Sequence, residues 1–179
     1  MTIKNSDSTY GWLSRLLHWG MALAIFIMFG LGIWMRGLDY YSPYYRSAPD
    51  LHKSVGLLLL ALLLLRFVWR QVNKVPSDNH LGRWERLGSH VAHLAFYGLL
   101  LVIMVSGYFI STADGRGIAV FGLFEVPSLI EQRGLEDVAG LVHEWLAWGV
   151  IGLAGFHALA ALKHHFLDKD VTLKRMLRG

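Results

Sequence analysis

Four long apolar runs, separated by shorter polar connections, dominate the pattern of this sequence. Each run is close to the roughly 20 residues that an α-helix needs to cross about 30 Å of hydrocarbon. Together they take up about half of the 179 residues, which leaves little chain for a separate soluble domain. We therefore predict one all-α integral membrane domain over residues 1–179. Its predicted transmembrane spans lie at about residues 14–36, 51–70, 88–110 and 139–164.

The connections between the spans are short enough for neighbouring helices to run antiparallel. This pattern predicts an up-down four-helix bundle that holds its cofactors between the helices. The longest connection covers residues 111–140 and is rich in glycine. Within it we expect an amphipathic stretch near residues 127–134 that lies on the outer surface of the membrane.

The balance of charge in the connections predicts how the bundle is oriented, because basic residues favour the cytoplasmic side. The connection over residues 66–90 and the tail from Lys163 each carry five basic residues against two acidic ones. The connection over residues 111–141 carries two basic residues against five acidic ones. We predict that both termini and the middle connection are cytoplasmic. Membrane-flanking residues account for most of the net charge of +4, so we predict no nucleic-acid partner.

The chain has no cysteine. Disulfides, iron–sulfur clusters and thiolate metal sites are therefore excluded, and so is haem attached covalently through a C-x-x-C-H motif. Any haem in this protein must be held by coordination and packing alone.

Nine histidines are present, and several of them fall within or beside the apolar runs. Polar side chains are costly inside a membrane, so we interpret these histidines as functional by default. Imidazole is also a ligand suited to haem iron. The question is therefore which histidines lie at the same depth in the bundle.

Two histidines of the fourth span, His143 and His157, are fourteen residues apart. At 100° and 1.5 Å per residue they point to nearly the same side and lie about 21 Å apart along the axis. This spacing predicts two cofactors, one near each membrane surface. His52 begins the second span at the outer level, where His143 is its only companion. If the outer haem has two imidazole ligands, they are His52 and His143.

The inner level holds more histidines than one haem needs. His18 lies one turn into the first span, and His93 lies at a similar depth in the third. Geometry alone does not choose between them as the partner of His157. The full set of candidates at this level is His18, His90, His93, His157, His164 and His165.

Four sequence motifs resemble those of the bacterial cytochrome b561 family, and they occur in the same order and in the corresponding spans. They are SRLLHW at residues 14–19, LHKSVG at 51–56, VHEW at 142–145 and FHALAALKHH at 156–165. The resemblance covers nearly the whole chain. It implies a di-haem cytochrome of the bacterial inner membrane, with two non-covalent haem b groups and ubiquinone as a substrate.

The resemblance also implies the ligand pairs, namely His18 with His157 for the inner haem and His52 with His143 for the outer one. Members of the family include superoxide oxidases, which makes superoxide:ubiquinone oxidoreductase one expected activity. The alternative is a cytochrome b subunit that passes electrons from a partner dehydrogenase to quinone. The expected partners are membrane lipid, quinone, a small donor at the outer face, and either a second copy or a partner redox protein.

The outer connections are acidic overall, which does not favour steering of an anion such as superoxide. A positive entrance would have to be built locally by Arg36, Arg46, Lys53 or Arg116. The sequence does not decide whether these residues build one.

Two basic side chains are candidates for binding haem propionates. Arg66 lies fourteen residues after His52, so it faces about the same side at the level of the inner haem. Its alternative role is that of an arginine whose guanidinium reaches up to the lipid headgroups. Lys53 is the corresponding candidate at the outer haem, and its alternative role is that of a plain interfacial lysine.

Four further residues are candidates for contacts with quinone or for proton delivery. His164 lies two turns beyond His157 at the cytoplasmic rim, and His93 lies near the start of the third span. Arg83 and Arg86 precede His93 by a few turns. A near-neutral pKa makes histidine useful for proton transfer, but ordinary interfacial roles are the alternative for each of these residues.

The sequence fits two other functions less well. A histidine-rich non-haem metalloenzyme needs its histidines at one depth, whereas His52 and His143 are predicted at the surface opposite to the others, and H-E-x-x-H is absent. A proton-coupled transporter predicts broken helices or a repeated half, and the sequence contains neither. The sequence therefore favours electron transfer.

Overall fold

The structure is a computed structural model that describes residues 2–178, so the first and last residues of the predicted domain lie outside it. Five helices and two short strands are present in this part of the chain. They are α1 (Trp12–Arg36), α2 (Ser47–Val72), α3 (Arg83–Thr112), β1 (Ile118–Val120), β2 (Phe124–Val126), α4 (Leu135–Phe166) and α5 (Thr172–Leu177).

The four long helices are apolar enough and long enough to cross a membrane. They contain 25 to 32 residues, which corresponds to about 38–48 Å of helix, more than the roughly 30 Å of hydrocarbon. The predicted all-α membrane bundle is therefore confirmed. Each helix begins before its predicted span, and α2, α3 and α4 also end beyond it. In these three helices polar residues continue the helix beyond the apolar run. At the start of α3, for example, a Glu85 carboxylate oxygen accepts a hydrogen bond from the Gly82 N–H at 3.1 Å.

A two-stranded antiparallel hairpin between α3 and α4 was not predicted. Strands β1 and β2 pair with Ala119 opposite Glu125. The predicted amphipathic stretch over residues 127–134 forms neither a helix nor a strand. The period-two signal of strands three residues long is too short to be recognised beside apolar runs of this length.

Each of the four long helices contributes to the core of the bundle. The buried core residues are Met21, Leu59, Leu63, Leu100, Met104 and Val150. A second cluster joins the hairpin to the helices, with Tyr108, Ile118 and Val120 buried against one another. The hairpin therefore packs on α2 and α3 as part of the fold.

The bundle has two distinct ends. We call the end with the α1–α2 connection and the hairpin the hairpin end, and the opposite end, with both chain termini and the α2–α3 connection, the terminal end. At the terminal end the Trp19 indole N–H donates to the Met176 carbonyl at 2.9 Å, and Arg175 donates to the Ser77 carbonyl at 2.7 Å. Helix α5 is thereby fixed across the ends of α1 and the α2–α3 connection.

Candidate cofactor sites

His52 of α2 and His143 of α4 face each other at the hairpin end. Their ring centroids are 6.2 Å apart and their planes are inclined by 66°. A metal–imidazole bond of about 2 Å, with a ring centre about 1 Å behind its nitrogen, puts two ring centres about 6 Å apart across one metal atom. The observed spacing therefore fits two axial ligands of one iron.

The environment of His143 fixes which of its nitrogens is free. Its Nδ1 lies 2.8 Å from the carbonyl oxygen of Ile103 on α3. A carbonyl only accepts, so Nδ1 carries the proton and Nε2 keeps its lone pair. The hydroxyl of Ser106 also lies 3.2 Å from Nδ1. Metal-binding histidines commonly donate from their second nitrogen in this way, which sets the orientation of the ring.

Two glycines leave space for the imidazole rings of this pair. A Cβ at Gly107 would lie 3.0 Å from Cε1 of His143, and a Cβ at Gly32 would lie 3.4 Å from Cε1 of His52. The Nδ1 atom of His52 is buried and has no hydrogen-bond partner among the described residues. A buried polar nitrogen without a partner is uncommon in native structures, and it indicates that this site is built around a group that binds there.

Three imidazoles meet at the terminal end. The ring centroids of His18 and His157 are 6.2 Å apart, and those of His93 and His157 are 5.9 Å apart. Phe96 adds an edge-to-face contact on His157 at 5.6 Å. Both histidine pairs have a spacing that fits one iron, so distance alone does not choose between His18 and His93.

Arg66 lies against His18 at the terminal end. Its Nη2 is 2.9 Å from Nδ1 of His18. Arginine only donates, so in this arrangement Nδ1 is the acceptor and the ring proton sits on Nε2. Coordination of iron through Nε2 of His18 would require Arg66 to release Nδ1. Arg66 and Arg70 both lie 5.9 Å from the ring centroid of Tyr97, so two cations converge near these imidazoles.

The helices of the bundle do not all pack equally closely on one another. Within the described chain, α1 packs on α2, α2 on α3 and α3 on α4, whereas α4 makes little close backbone contact with α1 or α2. Long side chains make the contact between α1 and α4, with Phe29 of α1 edge-to-face on Trp148 of α4 at 4.8 Å. The donor set and the ring spacing fit a b-type haem at each level.

The other predicted contact residues have local partners. Lys53 pairs with Asp50 at 2.9 Å, Arg86 pairs with Asp78 at 3.4 Å, and the Arg83 guanidinium lies 5.9 Å from the Trp84 ring centroid. None of these pairs involves a histidine of the two levels.

His164 is held at the terminal end between two carboxylates. Its Nδ1 lies 2.9 Å from Asp168 and 2.7 Å from Asp170. Burial alone would raise the pKa of the Asp170 carboxyl, but hydrogen bonds from Thr172 and His164 outweigh it and keep that pKa below its usual value. A histidine between two carboxylates is suited to holding a proton at the membrane surface.

The sequence reasoning missed the residues of α3 that surround the histidines. The Ile103 carbonyl and the Ser106 hydroxyl contact Nδ1 of His143, and Gly107 leaves space for its ring. Phe96 contacts His157. The adjacent Ser106 and Gly107 within an apolar span were the available signal for a close approach. The carbonyl of Ile103 carries no signal in its side chain.

Three of the four candidates for a positive entrance at the hairpin end are paired with acids. Arg36 forms an ion pair with Glu144, Arg116 with Asp114, and Lys53 with Asp50. The hydrogen bond from Arg116 lowers the pKa of the Asp114 carboxyl, which therefore remains an anion. These three cations therefore do not form a strongly positive surface.

The chain is similar in sequence to several known proteins. The family model described as prokaryotic cytochrome b561 matches residues 9–179. The chain is 47% identical to cytochrome b561 homolog 2 of Escherichia coli K12, covering 99% of this chain and 95% of that protein. It is 30% identical to a probable superoxide oxidase, CybB, of Yersinia pestis, over 94% and 95% of the two chains. Cytochrome b561 homolog 1 of Escherichia coli K12 is 26% identical over 90% and 92%.

Proposed function

Because the chain belongs to the prokaryotic cytochrome b561 family, it is a membrane electron-transfer protein, and we propose that it binds two haem b groups and reduces ubiquinone. The family implies haem b as the cofactor. The number of haems, their ligands, the quinone and the donor are our proposal. We also propose that residues 1–179 form one domain.

The observation that carries this proposal is the presence of facing imidazoles at two depths of one bundle. The proposed ligands are His52 with His143 at the hairpin end and His18 with His157 at the terminal end, each pair with ring centroids 6.2 Å apart. A single metal centre would need only one such level. Two levels suit electron transfer through the thickness of a membrane.

Haem b, when bound, supplies a one-electron carrier at each level. The residues of the chain bind these carriers and set their redox potentials. The Ile103 carbonyl keeps the proton of His143 on Nδ1 and leaves Nε2 free to coordinate. We propose that Arg66 moves from His18 to a propionate when haem binds, which frees the ring and places a cation beside the carboxylate. We propose Lys53 for the corresponding role at the hairpin end.

We propose that the protein lies in the bacterial inner membrane with its terminal end in the cytoplasm. The basic residues of the terminal end support this orientation. Quinone would then be reduced near the cytoplasmic rim, with His164, His93, Arg83 and Arg86 as contacts for its head group or its protons. The pairing of His164 with Asp168 and Asp170 supports a proton-holding role.

The first candidate donor is superoxide, because a relative that is 30% identical is named as a probable superoxide oxidase. Two superoxide anions would each give one electron and leave as dioxygen. The two electrons and two protons would convert one ubiquinone to ubiquinol. No other oxidant or reductant is needed.

A second candidate donor is a partner redox protein, and one observation favours it. Arg36, Arg116 and Lys53 at the hairpin end are each neutralised by an acid. Electrostatic attraction of an anion therefore receives little help from them. An acidic outer surface suits a donor with a basic face.

The test begins with the purified protein in lipid vesicles. A pyridine-haemochrome assay should give two haems per chain, and a reduced-minus-oxidised spectrum should show b-type bands. Stopped-flow mixing of the quinone-loaded protein with superoxide should then yield one ubiquinol for every two superoxide anions. One haem per chain would overturn the two-haem proposal. Two haems without ubiquinol formation would reject superoxide and leave the partner protein as the donor.

A further inference from the structure

The turn of the hairpin carries three exposed apolar side chains. Phe121 is 49% exposed, Leu123 is 81% exposed and Phe124 is 60% exposed. They are consecutive except for Gly122, and the described chain leaves about half or more of each of them uncovered. Exposed apolar patches of this kind mark contact sites for proteins or membranes.

The backbone conformation of this turn favours other residues than phenylalanine at position 121. Phe121 and Gly122 have positive φ angles of 50° and 71°, and the Leu123 N–H donates to the Val120 carbonyl at 2.9 Å. This is the φ pattern of a type I′ turn, for which Asn-Gly or Asp-Gly is the usual sequence. A phenylalanine in the left-handed region costs about 1–2 kcal/mol. An aqueous turn would gain from asparagine at this position, so the aromatic side chain indicates an apolar surrounding.

Contacts with α2 give the depth of the turn. The Phe121 N–H donates to the Ser54 hydroxyl at 3.0 Å, and Ser54 is almost completely buried. Ser54 is seven residues into α2, about 10 Å along its axis. Directly after it comes an uncharged run of Val, Gly, Leu and Ala over residues 55–65. The turn therefore lies level with the start of the apolar run of α2.

From these observations we propose that residues 121–124 are a membrane anchor that inserts at the boundary between headgroups and acyl chains in the leaflet at the hairpin end. Aromatic and apolar side chains favour this zone. A two-stranded sheet leaves unpaired edges, which excludes deeper insertion. The exposed Glu125 that follows the turn would remain among the headgroups. This anchor does not depend on the proposed function, because Ser54 is about 200° around α2 from His52.

The absence of native cysteine gives a direct test. Leu123→Cys introduces one thiol that can carry a nitroxide label in the haem-loaded full chain. The labelled protein is placed in vesicles of phosphatidylethanolamine and phosphatidylglycerol. Collisions of the label with dioxygen, which concentrates in hydrocarbon, are compared with collisions with a water-soluble nickel complex.

Two reference positions calibrate the depth. Glu136→Cys lies on an exposed polar position of the first turn of α4, at the same end of the bundle. Ile27→Cys lies near the middle of α1 and is 59% exposed. We expect the ratio of dioxygen to nickel collisions at Leu123 to be several-fold above that at Glu136 and below that at Ile27.

A ratio at Leu123 equal to that at Glu136 would overturn the anchor. It would mean that the turn stands in water and would make it a docking face for a soluble partner. Phe124→Cys repeats the measurement from the other side of the turn, so that one poorly folding variant does not decide the outcome. Circular dichroism and the haem spectrum establish that each labelled variant is folded.

Discussion

The two histidine levels of the bundle have nearly the same ring spacing but very different surroundings. At the hairpin end two imidazoles face each other, and the backbone carbonyl of Ile103 fixes the proton of His143. At the terminal end His157 faces both His18 and His93, and Arg66 occupies Nδ1 of His18. At the hairpin end, the group that orients the ring of His143 is a backbone carbonyl, which has little freedom to move. The terminal end contains an additional histidine and a long, mobile cation.

Spacing alone therefore does not define a ligand pair. Two imidazoles about 6 Å apart satisfy the length requirement of one metal, and the terminal end offers two such pairs. The two levels differ in the state of the second nitrogen of a proposed ligand. The Nδ1 of His143 donates to a carbonyl, which favours coordination through Nε2, whereas the Nδ1 of His18 accepts from Arg66.

Removal of a ligand at the hairpin end should change the haem content more than any other substitution. His52→Ala or His143→Ala should lower the haem content from two per chain to one, because no other described histidine lies at that level. A pyridine-haemochrome assay measures this directly. The matched control is His90→Ala, whose Nδ1 donates to the Arg86 carbonyl at 2.7 Å, and which should keep both haems. Retention of two haems in His143→Ala would mean that the hairpin-end pair is not a ligand pair.

The next test separates the two candidates at the terminal end. We expect His18→Ala to lose the terminal-end haem and His93→Ala to retain it, since the SRLLHW motif around His18 matches the family pattern. The haem content and the low-spin electron paramagnetic resonance signals of the two variants give the answer. The reverse result would assign His93 as the ligand, and His18 would remain hydrogen-bonded to Arg66. Equal loss in both variants would point to a level that tolerates no change in packing.

The contrast between the two levels also shows which features of the structure could be predicted from the sequence. Apolar run length predicts the four helices, and helical spacing together with a count of histidines predicts that His52 meets His143. The count fails at the terminal end because several histidines share one depth, and only the family resemblance selected His18. The hairpin and the carbonyl of Ile103 could not be predicted, since one depends on tertiary packing and the other on a backbone atom. The pairing of Arg66 with His18 also depends on the packing of α1 against α2.

A smaller effect should follow from removing the cation at the terminal end. Arg66→Gln takes a positive charge away from the proposed propionate and from His18. Loss of a nearby cation stabilises the oxidised haem, so the potential of the terminal-end haem should fall. The shift should be on the order of tens of millivolts, given that about 59 mV corresponds to a tenfold change for one electron. A spectroelectrochemical titration that resolves the two haems measures it.

Lys53→Gln is the matched variant at the hairpin end. Lys53 is already paired with Asp50 at 2.9 Å and is partly exposed, so its removal should shift the hairpin-end potential by less. If Arg66→Gln left the terminal-end potential and haem content unchanged, Arg66 would have no role at a propionate.

The smallest effect is expected from Gly107→Ala, which tests how tightly the ring of His143 is held at the hairpin end. A Cβ at Gly107 would approach Cε1 of His143 to 3.0 Å and Nδ1 to 3.2 Å, so the ring would have to move by a few tenths of an ångström. Gly107→Ala should therefore weaken the bond from His143 to the Ile103 carbonyl. The potential of the hairpin-end haem should shift by about 10–30 mV while the terminal-end potential stays constant.

Gly98→Ala is the control on the same helix, because nothing lies within 4 Å of its added Cβ. It should stabilise the fold by about 0.5–1 kcal/mol through the gain in helix propensity, with both potentials unchanged. In Gly107→Ala the crowding against His143 should cancel that gain. Thermal melting and redox titration of the two variants separate crowding of the ring from the general effect of alanine. If the two variants proved indistinguishable, the ring of His143 would have freedom to move, and the hairpin-end level would be no more rigid than the terminal-end one.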